Sequence, residues 1–143
     1  NFAKVVQVNL NSLMTCAGQF YDLLKETKGS LIIISSTAAF HATVGNPGYN
    51  ASKAGAAGLT RTLGKAWAPD GIRVNGVAPG LIATKMTKVT TDNPKRREAT
   101  IRSIPLGRIG NTDDMAGLVL FLASPLAGYI VGQTIIADGG LLL

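Results

Sequence analysis

Three features of the sequence predict an α/β architecture around a parallel sheet. Leu31-Ile32-Ile33-Ile34 is a short, continuous apolar run rich in β-branched residues, the pattern of a strand buried on both faces. Ile72 to Val77 and Ile130 to Ala137 follow as further strands, giving the order helix, strand, helix, strand, lid, helix, strand. Each crossover is long enough to bring the next strand back in parallel. The third feature is composition: 17 glycines and an aromatic fraction of 6% suit a packed α/β domain better than a β-sandwich.

The first helix is predicted from about Phe2 to Lys25, with Phe2, Val6, Leu13, Ala17, Phe20 and Leu24 forming an apolar stripe. Asn9 lies in that stripe, where an apolar residue is expected, and Cys16 reads as a core thiol on the same helix. Gly29 introduces the first strand. A loop from Ser36 to Gly48, holding Gly45, Asn46 and Pro47, leads to a second helix from about Tyr49 to Ala68, stopped by Pro69-Asp70-Gly71. Ala51, Ala54, Gly55 and Gly58 give this helix a small face that another element could approach closely.

The strand Ile72 to Val77 is ended by Ala78-Pro79-Gly80. Leu81 to Ile104 has no clean period and many Thr and Lys residues, so positions 81–110 read as a lid with short helical pieces. Asn111-Thr112-Asp113-Asp114 is an amino-terminal helix signal, a cap with two acids in the first turn, and that helix runs to about Ala123. The last strand stops at Asp138-Gly139-Gly140. Sequential right-handed crossovers put the strand at Leu31 at one side of the sheet. Its outer edge then lacks a partner, so further strands are expected to pair there.

At 143 residues the chain is one domain by length. A single cysteine excludes a disulfide framework and favours a reducing, cytoplasmic setting. With only His41 beside it as a soft ligand, no metal site is expected. The chain opens at Asn1 directly into helical sequence with no secretory signal, as if it begins within a fold. Met115 to Ala137 carries no charge, but Ser124-Pro125-Leu126-Ala127-Gly128 breaks it into a short helix and a short strand, so no membrane span is expected. The net charge of +6 is concentrated, since half of the 14 basic residues fall between Lys85 and Arg108. This segment reads either as a solvated, mobile stretch or as an anion-attracting rim. Without interleaved aromatics it does not suit nucleic acid.

Tyr49-Asn50-Ala51-Ser52-Lys53 places a phenol and an ammonium four residues apart, on one helix face. A phenol with a pKa of about 10 is a poor acid or base at neutral pH, and a nearby ammonium favours its ionised form. Such a tyrosine can exchange a proton with an oxygen beside it. Ser36 ends the first strand, at the sheet edge where ligands enter open α/β folds, and its hydroxyl could hold the reacting oxygen. Pro79-Gly80 ends the neighbouring strand on the same side, and Thr84 could bond a ligand amide.

These pieces, with Val8-Asn9-Leu10, Ile34-Ser35-Ser36, Arg73-Val74-Asn75, Pro79-Gly80-Leu81-Ile82-Ala83-Thr84 and Asp138-Gly139-Gly140, resemble the classical short-chain dehydrogenase/reductases, 3-oxoacyl reductases among them, over essentially the whole chain. The resemblance implies a Rossmann-like, doubly wound parallel sheet of which residues 1–143 form the carboxy-terminal, catalytic part. It implies Tyr49 as general acid/base, Lys53 easing its ionisation and binding the nicotinamide ribose, Ser36 polarising the substrate carbonyl, and Asn9 keeping a water in the proton relay. A buried amide satisfied by backbone is the other reading of Asn9. Pro79, Gly80, Ile82 and Thr84 would cradle the nicotinamide end of NAD or NADP, with Tyr49 and Lys53.

The implied reaction is reversible hydride transfer between an alcohol or ketone and the cofactor, in a homodimer or homotetramer. The family's Thr-Gly-x-x-x-Gly-x-Gly phosphate turn has no counterpart in these residues, so a non-catalytic fragment or assembly module is the competing reading. His41 lies in the loop that would line the substrate pocket, either as a substrate contact or as an ordinary loop residue.

Overall fold

The computed structural model describes all 143 residues, Asn1–Leu143. Three strands, β1 (Ser30–Ile34), β2 (Arg73–Pro79) and β3 (Thr134–Ala137), form one parallel sheet in the order β1-β2-β3. Ser30 pairs with Arg73 through to Ile34 with Val77, and Gly76 pairs with Thr134 through to Pro79 with Ala137. The expected sequential, parallel order and the marginal place of β1 are both present.

Helices cover both faces. On one side α2 (Ser12–Thr27) and α3 (Pro47–Trp67) pack a core of Ala17, Ile33, Ala56, Leu63, Ile72 and Val74. On the other, Val77, Leu122 and Ala127 form a second core with Ile32, Ile130 and Ile135, capped by α6 (Thr112–Ala123). Two short helices, α4 (Lys88–Thr91) and α5 (Pro94–Ser103), lie in the lid, and α1 (Phe2–Val6) opens the chain.

Two residues of β2 hold the α6 side together. The Arg73 guanidinium donates to the carbonyls of Leu122, Ala123 and Ser124 at the end of α6 and of Ala127 in the turn that follows. Asn75, fully buried, donates to Ile130 O at 2.7 Å and accepts from Gln133 N at 3.1 Å. That side chain, with Gly132 at φ 72°, takes the place of regular ladder pairing. The last strand is therefore four residues long rather than running from Ile130, and Ile130 owes its apolar character to packing beside the second core.

Other expectations also need correction. The first helix is not continuous: a π-helical turn, Gln7–Asn11, separates α1 from α2. Of its predicted stripe, Ala17 is buried, while Phe20 is more than half exposed and so is Phe2, although Phe2 lies against Gly48 of α3. Cys16 sits one residue out of phase with Ala17 and is exposed. The strand buried throughout its length is β2, with five consecutive buried residues. β1 has only Ile33 buried, and Ile34 is 46% exposed, because a marginal strand has a neighbour on one edge only.

Helix α3 buries Ser52, Ala56, Ala57, Thr60, Leu63 and Gly64 rather than Ala51 and Ala54. Close approach occurs at Gly55, where a Cβ would lie 2.6 Å from Leu10, and at Gly64, where it would lie 2.7 Å from Gly132 Cα. The lid contains a ten-residue helix, α5, started by the Asn93 cap and Pro94, with no buried residue. That absence of a buried face explains why its sequence showed no period. No helix is long and apolar enough to cross a membrane.

Candidate functional site

Asn46 caps α3 by accepting from Tyr49 N at 3.2 Å, and Pro47 occupies the first helical position, where its missing N–H is not needed. Tyr49 thereby falls in the first turn, where the helix dipole favours negative charge. One turn on, Lys53 Nζ stands 5.7 Å from the centroid of the Tyr49 ring and donates to Ile34 O at 3.0 Å, at the carboxyl end of β1. Burial pushes the Lys53 ammonium below its usual pKa. Ser35, buried, donates to Lys53 O at 2.8 Å and so fixes this turn of α3 against the strand end.

β1 ends at Ile34, two residues before Ser36, which instead caps a 3-10 turn, Thr37–Ala39. Its Oγ accepts from Ala38 N at 3.1 Å, leaving the hydroxyl hydrogen free to donate to another oxygen. Within the same turn His41 Nδ1 lies 2.9 Å from Thr37 O. A carbonyl only accepts, so Nδ1 carries the hydrogen and, in the neutral ring, Nε2 is left as an acceptor.

A cleft of about 610 Å³ at the carboxyl ends of the strands is lined by Ser36, Tyr49, Lys53, Pro79, Gly80, Ile82 and Thr84, together with His41. An adjoining cleft of about 720 Å³ shares Tyr49 and Lys53 and is lined by Asn9. The expected residues are thus gathered about one pair, Ser36 on one side and Asn9 on the other. Asn9 donates to Ser52 Oγ at 3.2 Å, and Ser52 donates to Tyr49 O at 2.8 Å. The Asn9 amide is therefore held by a side chain, not by backbone.

Gly80 has a packing reason of its own, since a Cβ there would lie 2.6 Å from Asp138 Cβ. Ile82 is tied to Gly110, with Ala83 N donating to Gly110 O at 2.8 Å. Thr84 N donates to Thr87 Oγ1 at 2.9 Å, which donates in turn to Ile82 O at 2.6 Å. Sequence reasoning passed over Thr87 and Asn50, whose roles are hydrogen bonds to backbone that no side-chain pattern announces.

At the far end of the lid Arg108 forms a bidentate pair with Asp114, both contacts 2.7 Å. The guanidinium, with the Asn111 N–H, holds the Asp114 carboxyl well below the usual carboxylate range. Arg102 pairs with Glu98, so five bases of the lid (Lys85, Lys88, Lys95, Arg96 and Arg97) remain exposed without an ion pair. No carboxylate lines the main cleft. Lys53, with one backbone acceptor, keeps two N–H donors for further oxygens. That donor set fits the ribose and nicotinamide end of an anionic dinucleotide.

A parallel sheet wound on both faces, with a Tyr–Lys pair on the crossover helix beside the strand ends, defines a class of α/β nucleotide-dependent enzymes. The chain belongs to the short-chain dehydrogenase/reductase family; the family described as "Enoyl-(Acyl carrier protein) reductase" matches residues 1–142. It is 42% identical over 98% of its length to a 2-dehydro-3-deoxy-D-gluconate 5-dehydrogenase of Bacillus subtilis, covering 56% of that protein. It is likewise 42% identical over 99% of its length to a 3-oxoacyl-[acyl-carrier-protein] reductase of Chlamydia pneumoniae, again covering 56%. A gluconate 5-dehydrogenase from Burkholderia cenocepacia, solved with NADP and tartrate, superposes with a TM-score of 0.93 at 29% identity, over 99% of this chain and 56% of that one. The chain thus spans a little over half the length of these relatives.

Proposed function

We propose that the polypeptide carrying these residues is an NAD- or NADP-dependent oxidoreductase that interconverts an alcohol and a ketone, with Tyr49 as general acid/base. The observation that carries this reading is the Tyr49–Lys53 pair, in the first turns of α3, shared by a cleft lined by Ser36 and a cleft lined by Asn9. When bound, the nicotinamide ring supplies or takes up the hydride.

The chain's own residues do the rest. Ser36 directs its free hydroxyl hydrogen at the carbonyl oxygen and draws charge toward it. Tyr49 delivers its proton to the same oxygen as the carbon is reduced, or removes it in the reverse direction. Lys53 uses its remaining N–H donors on the ribose hydroxyls beside the phenol. Asn9, fixed through Ser52, keeps the water from which Lys53 and Tyr49 recover a proton. Pro79, Gly80, Ile82 and Thr84 shape the nicotinamide end of the cleft.

The relatives are named for a sugar acid and for a 3-oxoacyl-[acyl-carrier-protein], and the exposed lid bases and carboxylate-free cleft suit an anionic substrate of the first kind. Phe2, Val8, Met14, Phe20 and Leu23, exposed along α1, the π-helical turn and α2, suit a homodimer or homotetramer.

The test is titration of the complete polypeptide with NADH and NADPH, followed by fluorescence, with initial rates on gluconate and on an acetoacetyl thioester. Binding of one dinucleotide and turnover of one substrate class are expected. Absence of binding by both dinucleotides would refute the oxidoreductase reading.

A further inference from the structure

Between Tyr49 and Lys53 the helix turns a third polar side chain, Asn50, toward the loop that carries Ser36. Both hydrogens of its amide are used there: Nδ2 donates to Ala38 O at 2.9 Å and to His41 O at 2.8 Å. Ala38 is also the residue whose N–H is accepted by Ser36 Oγ. A continuous set of bonds thus runs from the residue beside Tyr49, through the Ala38 peptides, to the Ser36 hydroxyl. The turn has its own internal bonds, Ala39 N to Ser36 O at 2.9 Å and Phe40 N to Thr37 O at 2.8 Å, so it is a small rigid body. Ser35 and Lys53 tie α3 to the strand end just before this turn, and the Asn50 amide ties α3 to the turn itself.

We infer that Asn50 is a positioning residue: it sets the place of the Ser36 hydroxyl relative to the Tyr49 phenol by clamping the 38–41 carbonyls onto α3. The inference rests on the proposed roles of Tyr49 and Ser36 and concerns a residue that touches neither substrate nor cofactor. Two groups that must reach the same oxygen lie on different elements, thirteen residues apart in sequence, and an error of about 1 Å in such a pair lowers rates by up to about 100-fold. Aspartate at this position would keep the shape but present acceptors to two carbonyls, so only the amide hydrogens serve.

The test is a double-mutant cycle on the complete polypeptide, using Asn50→Ala, Ser36→Ala and the pair, with kcat and dinucleotide affinity measured for each. Asn50→Ala is expected to lower kcat by about 10- to 100-fold with Ser36 present, and by less than about 3-fold in the Ser36→Ala background. Dinucleotide affinity should stay within about 2-fold in all four proteins. Asn50→Asp, equal in size, should behave as Asn50→Ala.

Equal losses in both backgrounds, or full activity of Asn50→Ala, would overturn the inference. So would loss of the folded circular dichroism spectrum in both Asn50 variants, which would make the residue a structural one. Failure of the underlying reading looks different: Tyr49→Phe would then keep its turnover, whatever Asn50 does.

Discussion

Strand β2 and the lid helix α5 are neighbours in sequence and opposites in construction. β2 buries five consecutive residues, and its side chains Arg73 and Asn75 bind six backbone groups of other segments. Helix α5 buries none, and its one ion pair, Arg102 with Glu98, lies on its own exposed surface. The lid is instead held at its two ends. Leu81 and Ala83 bond Gly110 and so join its ends, while Arg108 grips Asp114 and Leu106 N bonds Gly139 O. Rigidity is therefore concentrated in the sheet and α3, which carry the groups proposed for proton transfer, and the surface that would meet a substrate is left adaptable.

Substitutions in the two regions should separate this contrast. The largest effect is expected at Tyr49→Phe, which removes the transferable proton without altering packing. Turnover should fall by about 10²- to 10⁴-fold while dinucleotide affinity stays within about 2-fold, and stopped-flow hydride transfer with parallel binding titrations would reveal any other pattern. Next is Gly64→Ala on the buried face of α3, whose new methyl would meet the Gly132 backbone at 2.7 Å. It should lower stability by about 1–3 kcal/mol in urea unfolding, and an unchanged midpoint would mean the two segments are free to part.

Smaller again is the effect of acid on the lid anchor. The Asp114 carboxyl is held below its ordinary range by Arg108 and the Asn111 N–H. Its contribution is therefore complete above the unfolded carboxylate pKa of about 4 and is lost as pH falls through the lower folded value. Asp114→Asn should flatten that acid limb of the stability profile, and a limb of unchanged slope would contradict the assignment.

The smallest change is expected at Lys95→Gln or Arg96→Gln on exposed α5, within about 0.5 kcal/mol of the parent protein. If these bases attract anionic substrates, KM should rise while losing part of its salt dependence. A salt response identical to the parent's would leave them as solvating charge only.

Much of this was legible beforehand. Strand order, parallel pairing and the capped start of α6 follow from local rules: apolar runs, crossover length, and Asn111 with Asp114 three residues on. The Tyr49–Lys53 juxtaposition follows from helical spacing alone. Other features were hidden because each depends on a partner distant in sequence. The π-helical turn that carries Asn9 has no signature in its apolar pattern, and the early end of the last strand's ladder depends on Asn75 competing for backbone groups. Phe2 and Phe20 belong to the apolar stripe, and periodicity reports that a stripe exists and not which part of it is covered.

By itself the sequence determined the architecture, the family and the Tyr49–Lys53 juxtaposition, since these rest on contacts within a few residues or on patterns repeated along each element. Only the tertiary structure decided which faces are buried, and which of the clustered polar residues touch one another. Asn50 clamping the Ser36 turn and Arg73 capping α6 are such cases. Hydrogen bonds to backbone are set by distance and direction in space, and a side chain's identity does not specify which carbonyl the fold will bring to it.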